Sequence, residues 1–307
     1  MTPSAAYVAA TAGAALFDLP DRPRLSASGR DAARFLHGQC SNDVNGLAPW
    51  TGCRAFILDA HAHPFAQIRI LRRADDYLVI GPSARAGELF ARLDRMLIGD
   101  KCVLTDLAPD TALFHLAGPR AAEILAAAGL PAEAGEAGGI TRCLAARTPE
   151  GGFDLLCPAA LAPGLRNRLL QAGAVAGDAA TLEILRVEAG IPACKRDYDE
   201  TLILPELRPC DAVSHNKGCY IGQETVERVR SRGHTNKRLC GVTFSGDAPP
   251  APGPLSSAGA ECGRLTSAVN SPRRGVIGLA MIRAEIAEGA TVECGGITAT
   301  VVPLPFG

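Results

Sequence analysis

The chain has 307 residues, 47% of them hydrophobic and 21% charged, with a formal net charge of −1. That length suits about two domains with sizeable cores. The balanced charge excludes a global electrostatic pull toward nucleic acid, and no run approaches the roughly 20 apolar residues of a membrane span. The 11 cysteines are odd in number and contain no C-x-x-C pair, which argues against a disulfide framework or a zinc site of local spacing and for a reducing compartment, the cytoplasm by default.

The apolar run from Ala5 to Leu16 has the hydropathy of a signal segment, but no Lys or Arg precedes it and Asp18 follows. Leu16 to Leu25 reads as an entry strand and turn, and Ser28-Gly29-Arg30-Asp31 opens a helix from Asp31 to His37. Phe56 to Leu58, Ala66 to Leu71 and Tyr77 to Ile80 are β-rich runs that predict an antiparallel meander. Between the first two, His61 and His63 share a face of an extended segment, but no third metal ligand is evident. Ala84 to Leu97 carries apolar residues at helical spacing and predicts one long helix. Val103 to Leu107 and Leu113 to Leu116 read as strands, and Pro119 to Ala128 as a helix.

Gly129 to Gly139 is rich in Ala, Gly and Glu and reads as a surface loop. Strands at Arg142 to Arg147 and Phe153 to Cys157, then helices at Pro163 to Ala172 and Ala179 to Glu188, repeat the earlier rhythm. This suggests two α+β subdomains that part near 129–139, within a region spanning 1–236. A Pro-rich break at Asp247 to Gly253 leads into short β runs, and 237–307 suits a small antiparallel barrel. The fold class is therefore α+β.

The stretch Lys217-Gly218-Cys219-Tyr220-Ile221-Gly222-Gln223-Glu224 concentrates the chemistry. A cation and a following helix N-terminus both stabilise a thiolate, and Cys219 lies beside Lys217 and just ahead of a predicted helix from Gln223 that stops near Gly233. The plainer reading is a buried cysteine in a glycine turn. Glu188 ends an apolar helical run, where a carboxylate faces the negative end of the helix dipole and needs a partner. Arg186 and Lys195 are candidates. Arg228 to Arg238 is a basic stretch, either a solvated loop or a patch for an anionic ligand or partner.

The octapeptide K-G-C-Y-I-G-Q-E resembles the signature of the YgfZ family of folate-binding proteins, relatives of the glycine cleavage T-protein and of the mitochondrial Iba-type iron–sulfur assembly factor. Phe35 to Val44 (F-L-H-G-Q-C-S-N-D-V) and Leu185 to Pro192 (L-R-V-E-A-G-I-P) resemble two further family segments, and Arg238 to Phe306 resembles the terminal β-domain. The resemblance implies a tetrahydrofolate cofactor held by Glu188 at the pterin. Position adds Gln39, Asn42 and Asp43 as candidates to line a pocket at the end of the helix that begins near Asp31, with Tyr220 in the signature and Arg228, six residues after Gly222, as further cofactor candidates; Arg228 reads equally as a surface arginine. It also implies a working thiol at Cys219 assisted by Lys217. The implied partners are iron–sulfur assembly proteins or cluster-containing client enzymes such as tRNA methylthiolating proteins, with no direct contact to nucleic acid or membrane. Cys194 and Cys210 lie outside the signature. Asn42 and Asp43 also have turn chemistry of their own.

One departure bears on activity. T-proteins carry paired aspartates in a strand matching His63 to Leu71, whereas this chain has Pro64-Phe65-Ala66-Gln67-Ile68-Arg69, without a carboxylate for acid–base work. Aminomethyl transfer would then need another carboxylate. Asp59 is the nearest, should the register of the meander differ. A non-catalytic folate sensor is the third alternative.

Overall fold

The computed structural model describes residues 2–144, 152–208 and 211–306. Two sheets and a closed barrel make up its β-structure. The first sheet has five strands in spatial order Gly52–Leu58, Pro64–Arg72, Asp76–Ile80, Arg24–Ser28 and Val103–Asp106. Its first three strands form the expected antiparallel meander, in register Arg54 opposite Arg69 and Arg69 opposite Ile80. From Ala66 to Ile70 burial alternates, so Ala66, Ile68 and Ile70 enter a core with Phe35, Leu36 and Ile57, while the half-buried Gln67 and Arg69 face the other way. A strand's period of two makes that sorting automatic.

The second sheet has six strands in the order Val175–Ala176, Ala15–Asp18, Thr111–Ala117, Gly152–Pro158, Ile140–Leu144 and Gly135–Ala137. The expected parting near 129–139 is therefore corrected. Gly135–Ala137 is a strand inside this sheet, paired with Ile140–Leu144, and the chain changes sheets between Asp106 and Thr111. The N-terminal strand joins the second sheet by antiparallel pairing with Thr111–Ala117. The apolar run at the start is the helix Ala5–Ala12, capped by Ser4 and packed with Tyr7, Ala9 and Ala10 inward.

The single helix expected over Ala84 to Leu97 is instead a 3-10 turn, Ser83–Arg85, and a short helix, Leu89–Asp94. Gly87 lies in the break, where its backbone freedom disfavours helix. The helices Ala162–Gln171 and Ala179–Glu188 form as expected, the latter with Asp178 accepting from the Thr181 N–H. The part of the expected strand beyond Leu144 lies outside the described residues.

Six antiparallel strands from Lys237–Phe244 to Ile297–Val302 close the barrel around Val242, Leu255, Leu265, Val292 and Val301. Buried Asp197 ties it to the rest. Its carboxylate accepts from Arg186 at 2.7 Å and from Thr266 and Ser267 on a barrel strand, each at 2.6 Å. Among the described residues no helix is long and apolar enough to cross a membrane.

Candidate functional site: a central cavity and a thiol-bearing loop

A cavity of about 370 Å³ lies between the sheets and the helix Ala179–Glu188. Its apolar walls include Leu19, Ile68, Ile80, Leu182 and Ile191, and its charged lining is Arg22, Arg54, Arg69, Arg186, Arg196, Asp154 and Glu183. The lining has five guanidiniums and two carboxylates, and Asp211 and Asp197 pair with Arg54 and Arg186 from beside it, so the excess is one positive charge, which favours an anionic ligand. Gln67 and Tyr198 add polar groups, and the Tyr198 hydroxyl accepts from the Gln67 N–H.

Both carboxylates are already paired. Asp154 is 1% exposed, accepts from His115 Nδ1 at 2.8 Å and forms an ion pair with Arg69. His115 and Asp154 are direct cross-strand partners, which fixes their contact. Burial, reinforced by the charges of Arg69 and Arg22, pushes the His115 imidazole down to about 3. It is neutral near pH 7, with Nδ1–H given to Asp154 and Nε2 left as an acceptor. Burial works against Glu183, yet the guanidiniums of Arg186 and Arg196 hold its carboxyl below the ordinary value.

Sequence reasoning missed the His115–Asp154–Arg69 constellation. Its signal was a polar residue inside an otherwise apolar, buried run, His115 within Leu113–Leu116 and Asp154 within Phe153–Cys157. The Pro64–Arg72 strand brings no carboxylate to the cavity; those of the lining, Asp154 and Glu183, come from Gly152–Pro158 and Ala179–Glu188. Asp59 is elsewhere. It accepts from His63 Nδ1 at 2.8 Å and caps the His61 and His63 N–H groups.

Glu188 is not part of the cavity lining, a correction to its expected place at a ligand. Its neighbours Leu185 and Ala189 line the space, while its own carboxylate is 2% exposed and taken by Tyr7 Oη at 2.6 Å, Arg273 at 2.7 Å and the Ser271 hydroxyl. The partner demanded by the helix C-terminus is protein. It joins the first helix and the barrel to Ala179–Glu188.

The Lys217–Glu224 loop lies against the Phe35–Val44 segment. Lys217 is buried, and its ammonium donates to the carbonyls of Cys40 at 2.6 Å, Asn42 at 2.9 Å and His37. All three protons are used, so Lys217 acts as a clamp, in place of the catalytic assistance expected of it. Burial lowers its pKa. The Tyr220 ring covers that ammonium at 4.8 Å, and burial with the nearby Glu227 and Cys40 pushes its hydroxyl up to about 12. Asn42 Nδ2 donates to the carbonyls of Arg54 at 2.7 Å and Asp211 at 2.9 Å, and Asp43 accepts from Gly46 and approaches His37.

Cys219 is exposed at the crest of this loop. The helix that follows is Gln223–Arg232, capped by Gly222 and closed by Gly233 in the left-handed region. At Gly222, with φ +86°, a Cβ would stand 2.6 Å from the Asp59 carbonyl, so the turn requires glycine. Gln39, Asn42, Asp43, Tyr220 and Arg228 do not line the cavity. Asn42 and Tyr220 contact Lys217 of the thiol loop, Gln39 and Asp43 belong to the segment it lies against, and Arg228 is exposed on the helix. Cys194 is buried at the cavity wall, and Cys210 lies outside the described residues. The cavity and the thiol loop are thus two neighbouring features where the sequence suggested one.

Residues 4–212 match the GCVT N-terminal domain family, which is more than half of the chain. The chain belongs to that family. Residues 236–305 of this GCVT-domain protein match the CAF17 C-terminal beta-barrel domain. It is 30% identical over 318 residues to an aminomethyltransferase of Geobacillus thermodenitrificans, covering 95% of this chain and 87% of the relative. It is 29% identical to a transferase-like chloroplastic protein of Arabidopsis thaliana, covering 96% of this chain and 71% of the relative. The fold is that of the glycine cleavage system aminomethyltransferase T from Bartonella henselae, with a TM-score of 0.91 at 24% identity over 98% of this chain and 88% of that one.

Proposed function

We propose that this GCVT-domain protein binds tetrahydrofolate in the central cavity and acts as an accessory factor in iron–sulfur cluster assembly or repair, in the manner of the YgfZ family, with Cys219 as its working thiol. The observation that carries this reading is that both cavity carboxylates are neutralised, Asp154 by Arg69 and His115 and Glu183 by Arg186 and Arg196. Neither is a free base poised for aminomethyl transfer. The solvent-exposed, reactive type of group is Cys219, on a loop anchored by the Lys217 clamp.

The cavity suits a folate. Its volume is in the range of small-molecule sites, its apolar walls match a flat ring system, and its arginines match glutamyl carboxylates through bidentate hydrogen bonds. Arg22 and Arg196 at the lining are the candidates to hold the glutamyl end, and His115 Nε2 and Gln67 to meet ring N–H groups. When bound, the reduced pterin supplies a carrier for a one-carbon unit. The thiol suits soft metals, and because a cluster normally takes four ligands, one cysteine implies ligands shared with a client such as a tRNA methylthiolating enzyme. Nine free cysteines among the described residues support a reducing compartment, and we place the protein in the cytoplasm.

The names of its relatives favour a second reading, a folate-dependent aminomethyltransferase. The two are separated by replacing Cys219→Ser in cells that depend on this protein. Loss of tRNA methylthiolation, with folate binding by the purified variant intact, is expected. Full methylthiolation in the variant, or glycine-cleavage turnover by the purified wild type, overturns the accessory role.

A further inference from the structure

Arg54 belongs to both features. It lines the central cavity, and its guanidinium also holds Asp211, Nε to Oδ2 at 2.9 Å with a second bond to Oδ1. Asp211 begins the segment that leads to the thiol. Its carbonyl accepts from Asn42 at 2.9 Å, the next carbonyl, of Ala212, accepts from the Ser41 hydroxyl, and the Ser214 N–H donates to the Ser41 carbonyl at 2.9 Å. Three residues on, Lys217 closes the same seam by donating to the carbonyls of Cys40 and Asn42. Cys219 is two residues beyond that clamp.

We propose that Arg54 is a shared guanidinium through which a carboxylate-bearing ligand in the cavity sets the reactivity of Cys219. A guanidinium presents one favoured fork to one carboxylate at a time. A ligand carboxylate that takes the fork displaces Asp211, and the 211–217 segment loses its ion pair with Arg54 of the meander. The coupling takes the form of one element with two arrangements, the Asp211-paired one seen here and a ligand-paired one that the proposal adds. The exposed thiol then becomes freer in the occupied protein than in the unoccupied one, so a client is engaged when folate is present. The identity of that ligand rests on the function proposed above, whereas the pairing of Arg54 with Asp211 does not.

The test is the rate at which iodoacetamide alkylates Cys219 in the full-length protein, read by mass spectrometry on the peptide that contains it. Wild type, Asp211→Asn and Arg54→Gln are compared with and without tetrahydrofolate, and calorimetry on the same samples reports binding. Asp211→Asn is nearly isosteric and is expected to raise the rate at least fivefold without ligand, with Arg54→Gln doing the same. Tetrahydrofolate is expected to raise the wild-type rate and to add nothing in Asp211→Asn. Unchanged rates in both variants, or an equal ligand effect in wild type and Asp211→Asn, overturn the coupling. If calorimetry finds no folate binding, the folate reading fails while the two variants still decide whether the Arg54–Asp211 pair governs the thiol.

Discussion

Lys217 shows how a residue chosen for its charge serves through its protons. An ammonium has three donors, and here all three meet backbone carbonyls in a buried seam. Lys217→Met would leave those carbonyls unpartnered, at a cost of about 3 kcal/mol in unfolding free energy, measurable by urea denaturation. Lys217→Arg is not expected to restore it, because a planar fork cannot address three converging carbonyls as an ammonium does. His115 supplies the pH dependence. Its folded value is about 3 against an ordinary 6.5, so between those limits the unfolded chain binds a proton that the folded chain refuses. Stability is therefore full above pH 6.5 and falls as the pH drops through that window. Denaturation curves of His115→Gln between pH 6.5 and 3 are expected to be flatter than those of wild type.

At the scale of elements, the thiol loop is fixed at both ends by backbone geometry, with Lys217 at one and Gly222 at the other. Gly222→Ala would meet the Asp59 carbonyl at 2.6 Å in a left-handed conformation. A loss of about 2–4 kcal/mol is expected, read by thermal or urea unfolding, together with altered Cys219 alkylation. This glycine, the helix that follows it and the meander were legible because each depends on local pattern. The Ala84 to Leu97 stretch was misread for the same reason. Its apolar spacing is helical, but Gly87 and the docking of Arg85 onto Phe65 at 4.2 Å settle a turn there instead. Glu188 was correctly read as needing a partner. That its partners come from Tyr7 and Ser271, 181 and 83 residues away, is information that no local window contains. His115 and Asp154 likewise meet only through strand register.

On the scale of the whole molecule, the α+β core and terminal barrel followed from the order of strand and helix signals, but the path between sheets did not. The first strand returns to pair with Thr111–Ala117, so the second sheet is built from both ends of the first. That threading creates the space in which Arg54 and Arg69 of one sheet face His115 and Asp154 of the other. The barrel is held to this core by Asp197 through Arg186, Thr266 and Ser267. Since Arg186 also lines the cavity, the barrel contributes to the rigidity of the site.

The measurement that tests the account most directly is calorimetric titration of the anaerobically purified protein with tetrahydrofolate, beside Arg22→Met. Arg22 lines the cavity, and its loss is expected to weaken binding tenfold or more, about 1.4 kcal/mol. Absence of binding to the wild type, or equal binding by the two proteins, would contradict an anionic folate held in this cavity.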